Sequence, residues 1–205
     1  MGSSFYTPLV VHGRALCYSP AKRDLLIDRL HITLPPGGAC IIQGANASGK
    51  STFLRDLLNL GEHVSGWLQR NSTIHYLGEN DKDNFRSDLT LYGCLKLFCR
   101  NAGMPYQEVS WALRAVNLFH VHDQKYSHLS QGQRKRASLA RLLVVPRALW
   151  LLDEPTLALD TNSLTILEQI IHFHRMQGGC VVAATHTHID IPDSTRIRLG
   201  DLETL

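Results

Sequence analysis

The sequence predicts an α/β fold with a mainly parallel sheet, and three observations carry that expectation. Short apolar runs at Ala39-Cys40-Ile41-Ile42-Gln43, 148–152 and 180–185 read as buried strands, because a strand covered on both faces has no polar alternation. Segments of helical spacing lie between them, and strands alternating with helices imply parallel pairing. The chain has 205 residues, 44% of them apolar, which fits one domain with a core of ordinary size.

Taken in order, residues 9–18 carry apolar positions broken by His12 and Arg14, and Leu30-His31-Ile32-Thr33-Leu34 alternates, so both read as strands of a partly exposed sheet. Pro35-Pro36-Gly37-Gly38 forces a turn. The strand over 39–43 then delivers the chain into a glycine-containing loop, and 51–60 reads as a helix. Another strand is expected over 73–77. From about residue 80 to 129 strand signals disappear, while 91–101 and 106–119 have helical spacing with Gly103-Met104-Pro105 between them. This stretch, with the basic amphipathic helix from Ser130 to about residue 145, is expected to form a helical insert over about 80–145 in a single domain. The last two apolar strands follow it. Internal repeats and low-complexity segments are absent.

Composition narrows the function classes. The 21 basic and 18 acidic residues give a net charge of +3 and are spread without the like-charge run of a nucleic-acid tract, so no nucleic-acid partner is expected. Five cysteines, an odd number without a Cys-x-x-Cys pair, read as reduced thiols rather than a disulfide framework or zinc site. The eleven histidines include His120/His122, His172/His174 and His186/His188, but i,i+2 residues share no helix face and metal ligation is not expected from them. The first 16 residues lack the pattern of a signal peptide, and no apolar run approaches the roughly 18 residues of a spanning helix. Any membrane role is therefore expected to come through a partner.

The chemistry begins at Gly44-Ala45-Asn46-Ala47-Ser48-Gly49-Lys50-Ser51-Thr52, which fits G-x-x-x-x-G-K-[ST] between an apolar strand and a helix. In such a loop the backbone N–H groups and the helix N-terminus surround phosphates, Lys50 balances β/γ charge, and Ser51 offers a hydroxyl to magnesium. A second acidic centre is expected where the apolar strand over 148–152 ends in Asp153-Glu154. Asp153 is expected to hold magnesium and Glu154 to polarise the water that attacks the γ-phosphate.

Leu129-Ser130-Gln131-Gly132-Gln133 precedes a helix, with Ser130 placed as its N-cap. After the two preceding motifs it resembles the signature of ABC transporter ATP-binding subunits, in that family's order. Ala158-Leu159-Asp160 resembles its D-loop, and His186 resembles its switch histidine. The resemblance implies a RecA-like P-loop NTPase core with ABC-type antiparallel strands and a helical subdomain. It implies ATP and Mg2+ as ligands and a head-to-tail dimer with a second ATP-binding subunit. Each nucleotide would lie between one chain's phosphate loop and the other's Ser130-Gln131-Gly132-Gln133. His186 would contact the γ-phosphate. Two readings of Tyr18 stay open: stacking on adenine, or packing within its strand. The family's Q-loop glutamine has no match; Gly78-Glu79-Asn80-Asp81 stands there, with Asn80 the nearest equivalent toward magnesium and Glu79 either a substitute or a solvated loop acid.

Finer wording points to a cargo. Leu149-Trp150-Leu151-Leu152-Asp153-Glu154-Pro155, the stretch from Leu129 to Leu142, and Gln177-Gly178-Gly179 before Ala184-Thr185-His186 are similar to the haem-exporter ATPase of bacterial cytochrome c maturation. The short segment after His186 agrees, since it leaves no room for an accessory regulatory domain. That resemblance implies a peripheral subunit on the cytoplasmic face of the bacterial inner membrane, bound to a membrane-spanning permease subunit. An ATPase for another cargo, such as a lipid, lipoprotein or ion, is the alternative. A soluble ABC ATPase of repair or translation needs a long coiled-coil insertion or two ATP domains, and a small-molecule kinase gives no reason for the signature.

Overall fold

The structure, a computed structural model, describes residues 11–18, 27–58, 64–69, 73–78, 85–157 and 159–199, the backbone alone for 11–18, 27–30 and 64–69. The chain divides into two compact units, one drawn from residues up to 79, 147–155 and 171 onward, the other from 80–146 and 156–170.

The first unit holds two sheets. Strands β1 (Val11–Tyr18), β2 (Ile27–Leu34) and β4 (Val64–Gln69) form an antiparallel sheet in the order β2-β1-β4. Its register is interrupted between Gly13 and Leu16 and again before Tyr18, the irregularities that add local twist. The alternation read at residues 31–34 is real: His31 and Thr33 are exposed while Ile32 and Leu34 are buried. The second sheet is parallel throughout, in the order β5-β6-β7-β3-β8. It joins β3 (Ala39–Gln43), β5 (Ile74–Leu77), β6 (Leu149–Asp153), β7 (Cys180–Ala184) and β8 (Thr195–Arg198). Every residue of β6 and β7 is buried, which is why the sequence shows unbroken apolar runs there.

Helix α1 (Lys50–Leu57) packs Phe53, Leu54 and Leu57 onto Cys40, Ile42, Leu151 and Val182 of the parallel sheet. On β6, Trp150 stacks with His174 at 3.8 Å between centroids, near the end of α5 (Thr161–Met176). The turn at Pro35-Pro36-Gly37-Gly38 has Gly37 at φ 80 and a hydrogen bond from Gly38 N–H to Pro35 O of 2.7 Å, the geometry of a type II turn. Arg175 Nε donates to Gly37 O at 2.8 Å, tying the turn to the end of α5.

The second unit is helical: α2 (Leu91–Asn101), α3 (Val109–Ala115), α4 (Gln131–Val144) and the first part of α5. Thr90 caps α2 by accepting from Gly93 N–H at 3.0 Å, and the helix has the bounds its spacing predicts. The helix expected over 106–119 is a correction. It shrinks to α3, because the chain turns left-handed at Asn117 (φ 55) and re-enters as a short 3-10 turn at Phe119–Val121. Similarly, the helix expected over 51–60 stops at Leu57, with Leu58 as its cap. Strands β4 and β8 were not expected from the sequence. In β8 only Ile197 is even half-buried, so this edge strand lacks the apolar alternation that marks a strand.

Candidate active site

Parallel strands with helices on their faces leave a crevice at the carboxyl ends of the strands, where ligands bind in open α/β sheets. The chemistry-bearing residues of the first unit collect there. The phosphate-type loop leaves the end of β3, Asp153 ends β6 with Glu154 after it, His186 follows β7, and Tyr76 lies near the end of β5. The parallel register sets Asp153 opposite Ala184 and Leu77 opposite Leu152, which brings four separate segments to one edge.

Lys50 is 5% exposed and its ammonium closes the loop over itself. Nζ donates to Gly44 O at 2.9 Å and Ala45 O at 3.0 Å, and lies 3.3 Å from Glu154 Oε1. Gly49, left-handed at φ 94, starts α1, so the first helical N–H groups open toward the loop. Gly44 is glycine because of close approach: a Cβ there would stand 2.5 Å from Ser48 Oγ and 3.0 Å from Leu199 O. A cleft of about 540 Å³ opens beside the loop, lined by Gln43, Gly44, Ala45, Ser48, His186, Arg198 and Leu199. Arg198 gave no signal in the sequence, since β8 itself was not legible.

The acidic pair is divided by function of geometry. Asp153, 2% exposed, accepts from Ser51 Oγ on Oδ1 at 2.9 Å and from Tyr76 Oη on Oδ2 at 3.0 Å. Burial first, and the Asp153 charge second, push the Tyr76 phenol up to about 12, so it remains a donor. Glu154 sits at φ 46, a left-handed conformation that costs a non-glycine residue free energy and that clusters at functional sites. Its N–H donates to Ala184 O at 2.8 Å. Its Oε2 accepts from His186 Nδ1 at 2.9 Å and from the His186 backbone N–H at 3.3 Å. Burial raises the Glu154 pKa, but hydrogen bonds from His186 and Lys50 outweigh it and hold the carboxyl below its ordinary value. Glu154 is therefore a carboxylate at neutral pH. Because a carboxylate only accepts, the imidazole proton lies on Nδ1, leaving Nε2 for another partner.

These residues fit a bound phosphate chain with a divalent cation. Ser48 Oγ is buried in the loop without a hydrogen-bond partner, an orphan that a ligand oxygen or water satisfies. Ser51 and Asp153 already present an oxygen pair of the hard type that magnesium takes, 2.9 Å apart.

In the second unit, Ser130 and Gln133 form a capping box at the start of α4. Gln133 N–H donates to Ser130 Oγ at 3.2 Å, and Ser130 N–H to Gln133 Oε1 at 2.8 Å. Gln131 is exposed, and a Cβ added at Gly132 would meet nothing within 4 Å. Asp160 caps α5 through Ser163 N–H at 2.7 Å, and the Ser163 hydroxyl accepts from Arg136 Nη1 at 3.2 Å. Tyr18 ends β1, but its side chain lies outside the described residues, as do Glu79, Asn80 and Ala158. Sequence reasoning missed Tyr76 and Arg198, whose neighbours in the site are distant in the chain, and Ser163, whose hydroxyl partner Arg136 lies on another helix.

A P-loop core with an acidic pair at the end of a neighbouring strand and a helical second unit defines a nucleotide-driven ATPase. Its kind follows from likeness to known proteins. Residues 27–157 match the family model of the ABC transporter ATP-binding domain. The chain is 38% identical over 204 residues to the cytochrome c biogenesis ATP-binding export protein CcmA of Rhodospirillum rubrum, covering 94% of this chain and 86% of that protein. It is 36% identical over 188 residues to ABC transporter I family member 1 of Arabidopsis thaliana, covering 85% and 81%. Among solved structures, cbiO1 of Clostridium perfringens, part of the ABC transporter complex cbiONQ, shares the fold with a TM-score of 0.74 at 22% identity, covering 88% and 80%. The chain belongs to the ABC transporter ATP-binding family and is an ATP-hydrolysing subunit. Subunits of this family bind nucleotide and work within ABC transporters. No helix among the described residues is long and apolar enough to cross a membrane.

Proposed function

We propose that this chain is the ATPase of a haem exporter that serves bacterial cytochrome c maturation. One observation carries the cargo: 38% identity to a cytochrome c biogenesis export protein over 94% of the chain, which includes the segments on both sides of the shared ATPase motifs. In this reading the chain is a single ATP-binding domain with a helical insert, peripheral on the cytoplasmic face of the inner membrane through its permease partner.

The site residues then act as follows. The amides of 44–52 and the start of α1 receive the phosphates, and Lys50 turns from the Gly44 and Ala45 carbonyls toward the γ-phosphate. Ser51 and Asp153 hold the cation, with Asn80 near it. Magnesium, when bound, draws charge from the β- and γ-phosphate oxygens. Glu154 orients the attacking water and takes its proton on a carboxylate oxygen. His186, held through Nδ1 by Glu154, offers Nε2 to the γ-phosphate. Tyr18 stacks on adenine. Ser130, Gln131, Gly132 and Gln133, together with Asp160, serve the nucleotide of a second ATP-binding subunit in a head-to-tail dimer. The empty space around Gly132 supports this, because nothing in the chain's own fold requires a glycine there.

The test is a haem stain of c-type cytochromes in cells that carry only the Lys50→Ala form, with total haem and apocytochrome as controls. Loss of holocytochrome with apoprotein present is the expected result. Normal holocytochrome would leave an ABC ATPase with another cargo.

A further inference from the structure

We propose that Tyr76 is a positioning residue for the metal-binding carboxylate, fixing Asp153 so that one of its oxygens stays with Ser51. The inference rests on the reading of Ser51 and Asp153 as the pair that holds magnesium. A carboxylate at the end of a strand has two equivalent oxygens and is free to turn about its terminal torsion, which is broad and soft. Here both oxygens are assigned. Oδ1 takes the Ser51 hydroxyl at 2.9 Å and Oδ2 takes the Tyr76 phenol at 3.0 Å, so rotation breaks two hydrogen bonds at once.

The surroundings of the phenol agree with a directed donor. The phenol is 3.0 Å from Asp153 Oδ2, and the charge of Arg55, on α1 one turn beyond Ser51, pulls the Tyr76 pKa down against the larger upward push of burial and Asp153. A carboxylate only accepts, so the phenol O–H is the donor in this pair. Gly78 leaves the ring its place, since a Cβ there would stand 3.0 Å from Tyr76 Cε1. Tyr76, Asp153 and Ser51 thus form a continuous hydrogen-bonded chain from β5 through the end of β6 to the start of α1. None of these partners belongs to the phosphate loop except Ser51. A phenylalanine would fill the same space on β5, so packing gives no reason for the hydroxyl.

The test uses the full chain and a fluorescent ADP analogue, with affinity measured in EDTA and across a magnesium titration. Three variants are compared with wild type: Tyr76→Phe, Gly78→Ala and Asp153→Asn. Tyr76→Phe is expected to raise the magnesium concentration for half-maximal enhancement of nucleotide binding by about tenfold, the scale of one hydrogen bond to a charged group, and to leave affinity in EDTA unchanged. Gly78→Ala, which displaces the ring by a few tenths of an ångström, is expected to shift the same midpoint in the same direction by less. Wild-type magnesium dependence in Tyr76→Phe, alongside a weakened response in Asp153→Asn, would overturn the role of Tyr76 and leave the metal pair standing. An equal loss of affinity with and without magnesium in Tyr76→Phe would also overturn it, since that is the mark of packing alone. Unchanged magnesium dependence in Asp153→Asn would instead remove the reading of the metal pair, and the inference with it.

Discussion

The two units treat their polar groups in opposite ways. In the first, the charges of the site are paired across long sequence distances: Lys50 with Glu154, Glu154 with His186, and Asp153 with Ser51 and Tyr76. In the second, Ser130 and Gln133 satisfy each other three residues apart, Asp160 caps its own helix, and Gly132 stands beside open space. A site whose charges hold one another is arranged before ligand arrives, which is how pre-set electrostatics contribute to catalysis. A helix start that is capped only locally keeps its fold without the ligand and leaves amide groups available to one. The difference agrees with the proposal that the first unit carries the chemistry and the second receives a nucleotide from another subunit.

The sharpest break in this comparison is at Glu154. Glu154→Gln keeps the shape and gives up the proton acceptor, so ATP binding should survive while turnover falls by about 100-fold or more, the range of general-base effects. Single-turnover hydrolysis against equilibrium ATP binding measures the two separately, and turnover near wild type would remove Glu154 from the role of base.

A smaller effect concerns His174, which belongs to the first unit's packing and not to its chemistry. Its ring is 2% exposed, stacks on Trp150, and shares a 3.2 Å contact between Nε2 and Cys180 O. Burial pulls its pKa down to about 4 from 6.5, the Cys180 carbonyl opposing only in part. The folded state therefore refuses a proton that the unfolded chain accepts from 6.5 downward. Its stabilising contribution is complete above 6.5 and is lost as pH falls toward 4, with a full span on the order of 3 kcal/mol. Urea unfolding at about pH 7.5 and pH 5 should show a difference of about 2 kcal/mol from this group, and His174→Phe should flatten that part of the profile. A profile as steep in His174→Phe as in wild type would assign the acid sensitivity elsewhere.

The smallest expected effect on stability is the most telling for the second unit. Gly132 lies inside the first turn of α4 with free space around it, so Gly132→Ala should raise stability by roughly 0.5–1 kcal/mol, the usual gain of alanine over glycine in a helix. If a nucleotide from another subunit approaches that backbone, the same change lowers ATPase activity although the fold is firmer. Thermal unfolding and steady-state hydrolysis on one preparation check both signs. Increased stability with unaltered turnover would mean that nothing approaches Gly132 in the working protein.

Much of the site was legible because its residues sit at fixed offsets within short segments. The loop at 44–52 and the acidic pair at 153–154 are local patterns, and the strands before them are apolar throughout because both faces are covered. Ser130 was legible as a helix cap for the same reason, its partner being three residues away. The limits of α3 were not legible, since a left-handed Asn117 ends it within a stretch whose helical spacing continues.

What the sequence determined by itself was thus the class of fold, the order of the motifs and the candidates proposed to meet a phosphate chain, all of which follow from periodicity and near-neighbour spacing. Only the tertiary structure decided that Tyr76 reaches Asp153, that Arg198 lines the cleft beside Ser48, and that His174 is buried against Trp150 with Gly179 left without a side chain to make room. The first two depend on strand order in a sheet whose neighbours are far apart in the chain, and the third on how α5 packs against β6; both are set by crossover connections and packing rather than by any local pattern.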